Sequence, residues 1–128
     1  MLFRSTRLRR RYTLATLSNA GMAALVAVVK NAALPFDAVL SAELARSYKP
    51  APAVYRLAVE YLGFAPNEIM MVACHKYDLD AAQAFGMQAA FVARPFELGP
   101  DGHVDTTPEL RFEVNAVDLL DLADKVGA

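Results

Sequence analysis

Residues Val72 to Met87 read VACHKYDLDAAQAFGM, and this stretch decides the fold. It follows an apolar run, Ile69, Met70, Met71, Val72 and Ala73, that lacks the polar alternation of a half-exposed strand. Such a run suits a strand buried on both faces. Cys74, His75, Lys76, Tyr77 and Asp78 then crowd onto a turn, and an alanine-rich helical pattern, Leu79 to Phe85, closes on Gly86. The unit is strand, polar turn, helix.

The same unit recurs on both sides of this stretch. Upstream, Tyr12 to Leu17 reads as a strand stopped at Ser18-Asn19, whose side-chain oxygens suit a helix start. Gly21 to Ala33 reads as the helix that follows, ended by Leu34-Pro35 because proline disfavours helix at the residue before it. Ala38 to Ala42 is a second strand, and Pro52 to Leu62 a helix with proline in its first turn and Gly63 at its end. Downstream, Ala89 to Ala93 is a fourth strand. A loop rich in Pro, Gly and Asp spans Arg94 to Pro108, and a short strand, Phe112 to Asn115, precedes a terminal helix, Ala116 to Val126. Apolar strands alternating with helices predict a parallel sheet covered on both faces. Ligands bind beyond the carboxyl ends of such strands.

At 128 residues, with 55% hydrophobic and 21% charged side chains, the chain is expected to form one globular domain over residues 1–128. No apolar run reaches the length of about 18 residues that a spanning helix needs; the longest, Ala20 to Val29, stops at Lys30 and Asn31. Membrane partners are therefore not expected. The single cysteine, Cys74, excludes an intrachain disulfide and fits a cytoplasmic location. Charge is uneven: Arg4, Arg7, Arg9, Arg10 and Arg11 form a basic segment over residues 1–11, and the first acid is Asp37. A presequence or a grip on nucleic acid would use such a segment. Because Arg11 abuts the apolar Tyr12 to Leu17 without a linker, the favoured reading is a solvated helix end leading into the first strand, with no nucleic-acid partner.

Three sets of polar residues follow the strands: Ser18 with Asn19, Lys49 with Tyr55, and the cluster from His75 to Asp78. Converging on one rim, they would surround a small anion with hydroxyl and amide donors, a cation and a carboxylate. A lysine steadies an anionic transition state, and a carboxylate beside water acts as a general base. Each residue also has an ordinary structural role: Ser18 and Asn19 as caps, Lys49 as a loop lysine, Tyr55 as core, Asp78 as an acid favoured at a helix start. Cys74 beside His75 looks like half of a metal site. No second Cys or His lies near them in sequence, and His103 sits in a distant loop, so neither metal nor other cofactor is expected.

Taken in order, ATLSNA, SYKPAPAVY and VACHKYDLDAAQAFGM resemble the carboxyl-terminal portion of the haloacid dehalogenase superfamily, most closely its L-2-haloacid dehalogenase (type II) branch. The resemblance covers roughly Arg10 to Pro100. It implies an α/β, Rossmann-like parallel sheet with helices on both faces, and hydrolytic carbon–halogen cleavage through an aspartyl ester. It further implies catalytic roles for Ser18, Lys49 and Asp78: the serine after a core strand, the lysine that pairs with the nucleophilic aspartate, and the acid that orients or activates water. Asn19, Tyr55 and His75 become substrate-binding, with a 2-halo acid as the anionic substrate. A homodimer is also implied, since the type II enzymes often pair.

The sequence also departs from that pattern. Ala73 and His75 stand where the dehalogenases usually carry Ser and Asn, and Cys74 stands where phosphatases of the superfamily carry an acid that helps hold magnesium. The family's first motif, an apolar strand ending in the nucleophilic Asp, should lie well before Ser18, where only seventeen acid-free residues stand. The helical cap and its halide-binding Arg are missing with it. The resemblance thus implies a sheet without its central strand, closed across a gap or left with two open edges, and a truncated chain inactive alone. Alternatives are a non-catalytic module that binds small anions or a protein partner, and a phosphatase of the same superfamily. A receiver-like domain would want clustered acids at the first strand end, which this chain lacks.

Overall fold

A computed structural model describes residues 2–128, with side chains described from Ser5 onward. The elements run α1 (Leu2–Arg9), β1 (Ala15–Ser18), α2 (Met22–Asn31), β2 (Ala38–Ser41), a 3-10 turn (Ala42–Ala45), α3 (Pro52–Leu62), a second 3-10 turn (Pro66–Glu68), β3 (Met70–Ala73), α4 (Lys76–Phe85), β4 (Gln88–Val92), β5 (Val114–Ala116) and α5 (Leu119–Lys125). Every strand pairing is parallel; α2 and α4 supply two of the crossovers that parallel pairing requires, and the long loop between β4 and β5 the third. The chain has the α/β, Rossmann-like architecture expected from its alternating units.

The strands form two sheets. β1 pairs with β2, Ser18 lying beside Ser41; β3, β4 and β5 form the second sheet, with Ala73 beside Phe91 and Phe91 beside Asn115. Among the described residues, β1 and β3 each leave one edge without a strand partner. Of the two outcomes expected for a sheet lacking its middle strand, the open one is found. The sheets are joined through helices and side chains instead. Leu17 of β1 packs with Met71 of β3 on a cluster centred on Tyr55, Ala58, Ala82 and Met87.

β4 explains why the core has two sides. Ala89 and Phe91 point to one face, against Leu79 and Phe112, while Ala90 and Val92 point to the other, against Leu8, Ala116, Leu122 and Ala123. These four β4 residues are buried, as the period of two along a strand between two helical layers demands, and Gln88 at the start of the strand is exposed. The face with Ala90 is covered by α5 and α1.

The basic start is therefore partly inside the fold. Leu8 is buried, the Arg7 guanidinium meets Asp124 at 2.8 Å and also donates to the Ala128 carbonyl, and Arg9 pairs with Asp37 at 3.0 Å. Arg11 donates to the Gly127 carbonyl at 2.5 Å. The helix end is there as expected, with Arg9, Arg10 and Arg11 exposed, and Arg7 and Arg11 also reach the last residues of the chain. Arg4 belongs to the same segment, but its side chain lies outside the described residues.

Several boundaries shift for local reasons. Tyr12 does not enter β1: its hydroxyl reaches the Val126 carbonyl at 2.5 Å, and the Leu14 amide is taken by Asp37. α4 starts at Lys76, not Leu79, because His75 is extended and the Asp78 and Leu79 amides already bond to its carbonyl. α5 starts at Leu119, not Ala116, because Asp118 caps it by accepting from the Asp121 amide at 2.8 Å. The 3-10 turn after β2 had no sequence signal. It brings Glu43 to the start of α2, where its carboxylate accepts from the Met22 amide at 2.7 Å.

Candidate active site

The strand ends supply a connected set of groups. After β1, the Ser18 hydroxyl accepts from the Ala20 amide at 3.1 Å, which fixes a tight turn and presents Asn19. The Asn19 side-chain oxygen accepts from the Lys49 amide at 2.7 Å, and its amide reaches the Lys49 carbonyl at 3.5 Å. Asn19 thus clamps the backbone of the loop after β2, next to the cis peptide that links Lys49 to Pro50.

The Lys49 ammonium then crosses to α4 and meets one carboxylate oxygen of Asp78 at 2.5 Å, both side chains being at least nine-tenths covered. The other oxygen of Asp78 accepts from the Tyr55 hydroxyl at 2.7 Å. Tyr55 comes from the second turn of α3 and is fully buried. Its phenol is pushed well above its ordinary titration range, first by burial and then by its bond to the Asp78 carboxylate and that group's charge. A phenol that stays protonated remains a donor. Asp78 is thus an acceptor held from two sides, with a cation on one oxygen and a neutral hydroxyl on the other.

Of the residues singled out in the sequence, Asn19, Lys49, Tyr55 and Asp78 form this chain of contacts, and Ser18 shapes the turn at its start. The set spans the unpaired edges: its members follow β1, β2 and β3, so it sits at the carboxyl rim above the interval between the two sheets. His75 does not join it. The His75 Nε2 lies 2.9 Å from a Glu97 carboxylate oxygen, and the ring stacks on Tyr77 with centroids 5.8 Å apart. Lys76 also turns away, pairing with Asp105 at 2.7 Å over the face of Phe91.

Glu97 was missed in the sequence. It sits in the Pro- and Gly-rich loop after β4, and no spacing rule links it to residues 22 positions earlier. Besides His75 it touches Cys74, whose thiol lies 3.7 Å from a Glu97 oxygen. Burial, and then the Glu97 charge, raise the thiol above its ordinary pKa. An open hollow of about 300 Å³ adjoins these residues, with Arg94, Leu98 and Val104 on its walls.

The chain is similar to known proteins. A family model described as haloacid dehalogenase-like hydrolase matches residues 8–92. The (S)-2-haloacid dehalogenase of Xanthobacter autotrophicus is 43% identical over 82 residues, which are 62% of this chain and 32% of that protein. The (S)-2-haloacid dehalogenase 4A of Burkholderia cepacia is 35% identical over 107 residues, 77% of this chain and 46% of that protein. Among solved structures, an L-2-haloacid dehalogenase superimposes with a TM-score of 0.93 at 42% identity, covering 98% of this chain and 55% of that one. The Xanthobacter autotrophicus enzyme with chloropropionic acid covalently bound gives a TM-score of 0.80 at 29% identity, over 99% and 59% of the two chains. The chain therefore spans less than half the length of these curated relatives. With two thirds of its residues matched by the family model and its whole length superimposing on these enzymes, the chain belongs to the haloacid dehalogenase-like hydrolases.

Proposed function

We propose that this chain carries the water-activating half of a 2-haloacid dehalogenase site, acting on a small 2-halo carboxylate in the cytoplasm. The observation that carries the reading is the buried Lys49–Asp78 pair, with Tyr55 on the second carboxylate oxygen, at the carboxyl rim of parallel strands. The reaction itself is a double displacement. An aspartate carboxylate attacks the halogen-bearing carbon, the C–O bond forms as the C–X bond breaks, and halide leaves with the bonding pair. Water then adds to the ester carbonyl, which releases the 2-hydroxy acid and restores the aspartate. Lys49 offsets the negative charge of the attacking aspartate and of the tetrahedral intermediate. Asp78 holds or deprotonates the water, and Tyr55 and Lys49 fix its orientation. Ser18 and Asn19 form the rim on the β1 side.

The attacking aspartate is not among the residues ahead of Ser18, where no acid occurs. The 128-residue polypeptide alone is therefore expected to release no chloride from L-2-chloropropionate above the buffer rate. Mixed with the amino-terminal half of the Xanthobacter autotrophicus enzyme, it is expected to regain release, and Lys49→Met or Asp78→Asn in this chain to remove at least 99% of it. Halide release by the lone polypeptide, or reconstituted activity indifferent to Lys49→Met, would overturn the reading. The open edges of β1 and β3 favour a second reading, a non-catalytic module whose edges take a partner, here a second copy in a homodimer. A reconstituted mixture that binds but never turns over would select it. The phosphatase alternative is weaker, because Cys74 offers sulfur where magnesium wants oxygen.

A further inference from the structure

Cys74 and His75 leave the carboxyl end of β3 one after the other, and Glu97 meets them from the loop after β4. One ligand atom from each, a sulfur, a ring nitrogen and a carboxylate oxygen, lie within 4.8 Å of one another. The Glu97 Oε2 atom lies 3.1 Å from the nitrogen and 3.7 Å from the sulfur. A four-coordinate zinc ion with bonds of about 2.0–2.3 Å sets its donors about 3.3–3.8 Å apart. One carboxylate oxygen thus already stands at about such a spacing from both the nitrogen and the sulfur. An open hollow adjoins the three groups.

The donor types narrow the ion. Magnesium and calcium take oxygen ligands, whereas a thiolate, an imidazole and a carboxylate together suit zinc, cobalt(II) and their neighbours. Charge agrees: a thiolate and a carboxylate beside a neutral imidazole carry two negative charges, which a divalent ion cancels. We propose that Cys74, His75 and Glu97 form a binding site for a borderline divalent transition-metal ion, with the fourth position open to water in the hollow. On binding, the thiol proton passes to solvent as the metal–sulfur bond forms. The site shares no residue with the Lys49–Asp78–Tyr55 set, and it takes His75, which the resemblance assigns to substrate binding, as a metal ligand instead.

The test is titration of the full 128-residue chain with cobalt(II) after treatment with chelator. One equivalent is expected to bind with a thiolate-to-cobalt charge-transfer band, and zinc to displace it while excess magnesium does not. Cys74→Ser is expected to abolish the band. Glu97→Gln, a loop substitution that leaves the helices and sheets untouched, is expected to weaken binding at least tenfold, and His103→Gln to leave it unchanged. A missing thiolate band, full affinity in Glu97→Gln, or dependence on His103 would overturn the proposal and leave only a His75–Glu97 ion pair beside a thiol.

Discussion

At the scale of single residues, Asp78 is the one charged side chain that is buried among the described residues. Burying a carboxylate is costly unless charge and hydrogen bonds compensate it, and here one lysine and one phenol do so. Removing the lysine leaves an uncompensated charge. Lys49→Met is therefore expected to lower stability by about 3–5 kcal/mol, read from the urea midpoint. Tyr55→Phe keeps the ring in the core and removes one hydrogen bond, for a loss of about 1–3 kcal/mol. The tyrosine also gives a pH signature. Its folded-state pKa is raised, so the neutral form favours folding: the contribution is complete below the unfolded value of about 10 and is lost as pH rises above it. Unfolding followed across the alkaline range should show a steeper decline in the parent chain than in Tyr55→Phe. Equal slopes would mean that the phenol is not buried against Asp78.

Among the elements, the two halves of the chain are fastened differently. α3 reads from proline to glycine with Val54, Tyr55, Leu57 and Ala58 buried, and its sequence and packing agree. α2 is as apolar in sequence yet has no buried residue, and Val26 and Val28 are half exposed. With so little packing, its start depends on the Glu43 carboxylate at the Met22 amide. Glu43→Ala should cost about 0.5–1 kcal/mol and raise amide exchange within α2 first, whereas exchange spread evenly over the chain would deny that the cap is local. The 3-10 turn that delivers Glu43 ends on Arg46 with φ of +49°, a left-handed conformation that strains an L side chain. Arg46→Gly should relieve about 0.5–1 kcal/mol, checked by thermal unfolding. At the other end, Leu8 holds α1 to the layer formed by α5 and β4, so Leu8→Ala should cost about 2–4 kcal/mol.

For the molecule as a whole, the decisive feature is the interval between β1 and β3. Unpaired strand edges template association, and Val72 of β3 is 39% exposed where a strand inside a sheet would be covered. The polypeptide is expected to self-associate with rising concentration in sedimentation experiments, and Val72→Lys, which puts a charge beside the open edge, to shift it towards monomer. A monomer at all concentrations would show that the edges are protected. The Lys49–Asp78–Tyr55 set is a polar connection between the two sheets, since Lys49 follows β2 and Asp78 follows β3. Stability and candidate chemistry thus rest on the same side chains, and altering them leaves the ties that Arg7, Arg11 and Tyr12 make to the end of the chain.

The sequence by itself determined the order of strands and helices, because apolar runs of strand length, helix-forming stretches and Pro or Gly stops are local signals. It also placed Asn19, Lys49, Tyr55 and Asp78 at one rim, because parallel strands put every following loop on the same side. Tertiary structure alone decided the rest. Whether the sheet closed or stayed open depended on the balance of packing over a missing ladder. His75 went to Glu97, 22 positions away, and not to Asp78, three positions away. The partners of Arg7, Arg9 and Arg11 came from residues more than twenty positions away. Side chains with several equivalent acceptors carry no local signal for which one they take; the fold chooses by bringing one within reach.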